Sequence, residues 1–99
     1  MAELILQGQL STTGTLIQPS ADSNGYRIQS IRINNATSAY TYKLERYQFS
    51  TSLLTTIYDL NLSIGDTVTD TYSYFLAPGD YLVLTSNVAT TNYLISGIQ

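Results

Sequence analysis

The sequence predicts an all-β fold, a single antiparallel β-sandwich of seven or eight short strands over residues 1–99, jelly-roll-like. Three observations lead there. Nine Tyr and two Phe in 99 residues accompany many Thr, Ile and Val, the side chains that suit a pleated, half-buried surface. Turn signals recur roughly every 8–12 residues, the strand spacing of sandwiches and barrels. No long window keeps the 3.6-residue period of an amphipathic helix. With 43% apolar residues, one open sheet could not hide its own apolar surface, so the strands must pack as two layers or close on themselves.

The elements follow in order. A first strand over 3–10 places Leu4, Leu6, Gly8 and Leu10 on one face. Ser11-Thr12-Thr13-Gly14 breaks it, and a short strand over 15–18 stops at Pro19, which holds Gln18 extended. The polar loop 20–25 ends in Asn24-Gly25, a pair suited to positive φ. In the strand over 26–34 the alternation slips: Tyr26 and Ile28 are in one phase, Ile31 and Ile33 in the other. A β-bulge near Gln29 or Ser30 would return both pairs to the core face, and coverage of the strand on both faces is the alternative.

After the turn at 34–38, a strand over 39–49 alternates clearly, with Tyr40, Tyr42 and Leu44 inward and Thr41, Lys43 and Glu45 outward. The strand over 53–62 points Tyr58, Leu60 and Leu62 inward, and its first half has no clear phase. A strand over 67–76 is expected to turn Tyr72, Tyr74 and Leu76 inward. Ala77-Pro78-Gly79-Asp80 has the residues of a type II turn: Pro presets φ and Gly supplies the positive φ that follows. Strands over 81–85 and 92–98 complete the set, the last with Tyr93, Ile95 and Gly97 on one face.

Composition narrows the function. Charged residues are 11% of the chain, against about 25% in an ordinary soluble domain, and Ser and Thr make up about a quarter of it. Four basic residues against seven acidic ones, net −3, argue against nucleic acid as a partner. No apolar run approaches 18 residues, so no membrane helix is expected, and the opening residues lack the basic region of a secretory signal. The chain contains neither Cys nor His, so it lacks thiolate chemistry, the commonest general base and the commonest transition-metal ligand. No enzyme and no cofactor are expected.

The carboxylates are the remaining candidates for chemistry. Asp59, Asp66, Asp70 and Asp80 lie near turns or strand ends, without the spacing of a calcium loop. Asp66 and Asp80 follow Gly in turns, where Asp ordinarily bonds local backbone. Asp66 and Asp70 on one extended strand would stand roughly 13 Å apart, too far for a glycosidase pair. Tyr offers apolar area with a polar handle, useful in a core, at a subunit contact or against a sugar ring. Leu4, Ile5, Tyr26, Tyr47, Tyr81 and Tyr93 are the candidate subunit-interface residues, the first two because an N-terminal strand can add to a neighbour's sheet edge. Pairing within its own sheet is that strand's default.

The segments Leu6-Gln7-Gly8-Gln9-Leu10, Ile33-Asn34-Asn35-Ala36-Thr37, Leu62-Ser63-Ile64-Gly65-Asp66-Thr67, Leu76-Ala77-Pro78-Gly79-Asp80-Tyr81-Leu82 and Tyr93-Leu94-Ile95-Ser96-Gly97-Ile98 occur in this order over nearly the whole chain. In order and spacing they resemble a group of short virion proteins of tailed bacteriophages. Ile17-Gln18 stands where that group often has Tyr-Thr, and Tyr is more frequent here. The group has no catalytic motif to carry over. The resemblance implies a non-enzymatic viral structural protein on the virion, with capsid decoration favoured. Its partner would be the major capsid protein or another virion protein, and a homo-oligomer, a trimer above all, is expected. A neck, tail or baseplate subunit and a glycan-binding module are the alternatives.

Overall fold

In the computed structural model, which describes residues 2–99, nine antiparallel strands form two sheets. They are β1 (Glu3–Gln9), β2 (Thr15–Ile17), β3 (Tyr26–Asn34), β4 (Tyr40–Gln48), β5 (Leu53–Leu62), β6 (Thr67–Asp70), β7 (Tyr74–Leu76), β8 (Tyr81–Thr85) and β9 (Asn92–Ile98). One sheet runs β1-β9-β3, with β6 and β7 both on the far side of β3; the other runs β2-β8-β4-β5. β6 pairs with the Ile31–Asn34 half of β3 and β7 with the Tyr26–Ile28 half. They are therefore one interrupted strand, and the sandwich has eight strand positions.

The pairs β1·β9, β2·β8, β3·β6/β7 and β4·β5 make one long ribbon, doubled back between β4 and β5. Successive pairs alternate between the sheets, which is the winding of a jelly roll. The expected fold class is what the structure contains. The ninth strand arises from the break at 71–73, which the sequence alternation did not anticipate.

The core lies between the sheets. Ile28, Ile31 and Ile33 of β3 and Ile95 of β9 face Tyr42 and Leu44 of β4 and Leu82 and Leu84 of β8, all essentially without solvent contact. The bulge expected on β3 is present: its register against β9 shifts between Ile28 and Ser30, so Ile28, Ile31 and Ile33 all reach the core and Tyr26 packs against it half-buried. Opposite the bulge, Gly97 pairs with Ile28. A Cβ at Gly97 would lie 2.1 Å from the Arg27 carbonyl oxygen, so only glycine permits this approach.

Polar side chains pin the loops at each end of the roll. At one end Asn35 is wholly buried. Its Oδ1 accepts from the N–H groups of Thr37 (3.0 Å) and Ser38 (3.1 Å), its Nδ2 donates to Thr91 Oγ1 (3.1 Å), and its carbonyl accepts from the Gly65 N–H (2.8 Å). Three loops are joined through one side chain and its backbone. At the other end the Pro78-Gly79 turn is closed by Asp80 N–H on the Ala77 carbonyl (2.9 Å), with Gly79 at φ +98°. Asp80 is buried and accepts from Phe49 N–H (2.9 Å) and Ala77 N–H (3.2 Å), tying this turn to the β4–β5 turn.

Candidate binding surfaces

Two features are open to a partner: the outer sheet faces with their edges, and a pocket where the sheets part. The outer face of the β2-β8-β4-β5 sheet follows from alternation. Because Ile17, Leu82, Leu84 and Leu44 point inward, their strand neighbours point outward. Register then sets Tyr81, Tyr47 and Leu54 in one row and Leu16, Val83, Glu45 and Thr56 in the next. Tyr47 and Tyr81 stack with ring centroids 4.7 Å apart and planes 18° from parallel. Leu16 is 57% exposed and Leu54 52%. This face also carries charge: Glu45 stands between Val83 and Thr56, 3.9 Å from Lys43, and Asp59 is in register with Lys43.

On the other sheet Ile5 and Leu94 are the exposed apolar side chains of β1 and β9. They are set among polar neighbours, with Gln7 and Arg32 flanking Leu94. Both sheets end on strands with an unpaired side, β1 and β6/β7 on one sheet, β2 and β5 on the other. β1 spends its other side on β9, so it pairs within its own sheet.

The six candidate interface residues thus separate into two groups. Ile5, Tyr47 and Tyr81 sit on outer faces, and the register brings the last two together. Leu4 belongs to the buried core, and Tyr26 and Tyr93 pack against that core from its margin. Their apolar area is already used inside the fold. What β1 can offer a neighbour is Ile5 and its open backbone edge.

The pocket opens between β5 and the break separating β6 from β7. It has a volume of about 370 Å³ and is lined by Arg46 and Gln48 of β4, Thr55 and Tyr58 of β5, and Tyr72 and Tyr74. Asp70 stands behind the wall made by Tyr72 and Tyr74. It is buried, its Oδ1 accepts from Tyr72 N–H (2.8 Å), and its Oδ2 accepts from the Tyr74 hydroxyl (2.6 Å). The first of these bonds is an Asx-type turn, which competes with continued pairing and breaks the strand. Tyr72 was expected inward; it is instead 69% exposed, because Asp70 turns the chain before it. Its ring leans on Tyr74 at 5.2 Å and 52°.

Arg46 forms the opposite side. Its Nη2 donates to the Phe75 carbonyl (2.8 Å), while its Nε is buried without a hydrogen-bond partner. Sequence reasoning passed over this residue, although a signal was present. Arg46 continues the inward phase of Tyr40, Tyr42 and Leu44, and a cation in that phase marks a strand end facing something other than core. Burial raises the Tyr74 phenol above its ordinary range, and its hydrogen bond to Asp70 and the carboxylate's charge add to the shift. Tyr42, below the pocket, is raised further by burial and then by Asp70.

The carboxylates hold the chain together rather than gather. Asp66 Oδ2 accepts from Ser63 N–H (3.0 Å), Asp70 and Asp80 are engaged as described, and Asp59 stands exposed on β5, in register with Lys43. Among the described residues no three His, Cys, Asp or Glu side chains come together as a metal would need. Tyr40 hydrogen-bonds the Asp66 carbonyl, which fastens the β5–β6 turn to the core.

No family model and no curated protein matches the chain. Among solved structures, the chain is similar to the Yersinia pseudotuberculosis-derived mitogen, at 13% identity and TM-score 0.48, with 98% of this chain and 85% of that one covered. It is also similar to a chain of infectious bursal disease virus Gx strain, at 8% identity and TM-score 0.45, with 96% of this chain covered and only 30% of that one.

Proposed function

We propose that this protein is a non-enzymatic virion structural subunit that decorates a bacteriophage capsid by binding the major capsid protein as a homo-oligomer, with three copies per assembly. The observation that carries the reading is the outer face of the β2-β8-β4-β5 sheet. Tyr81, Tyr47, Leu54, Leu16 and Val83 form an apolar patch on this face, beside which Glu45, Lys43 and Asp59 stand. Interface cores are enriched in aromatic residues, and the stacked Tyr47 and Tyr81 rings would form the centre of such a contact, with the neighbouring charges free to pair with a partner. The ordered motifs shared with short phage virion proteins point the same way. Many weak contacts repeated over a shell would add through multivalency.

The test is to mix the purified protein with shells that lack it. Co-sedimentation and a rise in shell melting temperature are expected. Tyr47→Ser and Leu54→Ser together should abolish both while leaving the isolated fold intact. Shells that neither bind the protein nor gain stability would refute the reading. Sedimentation of the free protein separates the alternatives: a trimer supports decoration, whereas a ring of six or twelve copies assigns the chain to the neck, tail or baseplate.

A further inference from the structure

The geometry points to the pocket between β5 and the β6–β7 break as a saccharide-binding site, taking one neutral sugar ring of a glycan. The proposal is independent of shell binding, since none of the pocket residues belongs to the apolar outer face.

Four features select a sugar. The first is aromatic area that faces solvent. Tyr72 is 69% exposed and buttressed by Tyr74, so a ring face is held where the C–H face of a pyranose can stack on it. The second is rigidity. Asp70 grips both the backbone of Tyr72 and the hydroxyl of Tyr74, so little is lost in ordering the wall when a ligand arrives. The third is a fixed donor group. Arg46 lines the pocket and its Nη2 is held on the Phe75 carbonyl, so the guanidinium is already positioned and any of its N–H groups that faces the pocket can donate to a ligand hydroxyl oxygen with little ordering cost. Gln48 and Thr55 add side chains that both donate and accept, as hydroxyl-rich ligands require.

The fourth feature is charge. The Arg46 cation on one side is opposed by the Asp70 anion behind the Tyr wall, so the site as a whole does not call for an anion. Phosphate-bearing ligands are disfavoured further by the net charge of −3. The volume of about 370 Å³ lies toward the small end of ligand pockets, suited to a sugar rather than a folded partner.

The experiment is a glycan array followed by NMR titration of the ¹⁵N-labelled protein with the methyl glycoside of each sugar that scores, and with methyl glucuronide as an anionic control. A neutral glycoside should shift the Arg46 Nε–Hε resonance and the amides of Thr55, Tyr58, Tyr72 and Tyr74. Tyr72→Ala should weaken binding at least tenfold, and Thr55→Trp, which fills the mouth, should do the same. Both variants should still bind shells, so loss of sugar binding and loss of the capsid role remain separable. An array without a reproducible hit, shifts confined to another surface, preference for the glucuronide, or full affinity in both variants would each overturn the proposal.

Discussion

Buried polar atoms decide much of the residue-level energetics, and two of them behave oppositely. Asn35 satisfies its side-chain oxygen and nitrogen with four neighbouring residues, so its burial is compensated. The Tyr42 hydroxyl is buried with no partner, and such a group carries an uncompensated desolvation cost. Tyr42→Phe removes the hydroxyl and keeps the ring. The expected outcome is a gain of about 1 kcal/mol, read as a higher midpoint in urea with an unchanged slope. A clear loss of stability would mean that the hydroxyl has a partner after all. Tyr74, on the facing sheet, is the contrasting case: its hydroxyl binds Asp70 at 2.6 Å.

At the scale of elements, the close contact of β3 with β9 rests on Gly97. Next to the bulge at Ile28–Ser30 the Arg27 carbonyl lies so close to Gly97 of β9 that the space left there is smaller than a methyl group. Gly97→Ala must therefore displace backbone. A loss of about 2–4 kcal/mol is expected, as for other severe backbone or overpacking defects, measured by thermal or urea unfolding. A variant as stable as the parent would show that the bulge relaxes freely. The edges are handled unequally. β2 is only three residues long, and β5 carries a register shift opposite Leu44 and Glu45, both devices that discourage edge-to-edge pairing. β1 has seven residues and a single charged side chain, Glu3, which leaves it the more open edge for a neighbouring copy.

At the scale of the whole molecule, the jelly roll sets how stability responds to pH. Tyr40, Tyr42 and Tyr74 are all held protonated above the usual phenol value of 10.0, chiefly by burial. In the unfolded chain these phenols ionise near 10.0. Above that pH the unfolded state binds fewer protons than the native state, so stability falls as pH rises. The contribution is fully present below about pH 10 and declines through the alkaline range toward the raised native values. Ionisation of Tyr40, Tyr42 and Tyr74, followed by tyrosine absorbance against the corresponding Phe variants, should therefore coincide with loss of the β-sheet circular dichroism signal. Their ionisation near pH 10 with the fold intact would contradict their burial.

Local chemistry was legible wherever a strand or turn could be decided by its own residues. Alternation of Tyr40, Tyr42 and Leu44 gave an inward face, the slipped phase at Gln29–Ser30 gave a bulge, and Pro78-Gly79 gave a turn, because side-chain period and φ preference are properties of a few adjacent residues. The all-β class followed from the same information repeated along the chain. Tertiary structure alone decided which strands pair, since β1 meets β9 across almost the full length of the chain and no local signal encodes a contact at that separation. It also decided that Leu4 is core, that Asp70 interrupts a strand the alternation would have continued, and that Tyr72 joins Arg46 at a pocket. Each of these depends on what lies opposite, and a side chain's surroundings are fixed only when distant strands have closed around it.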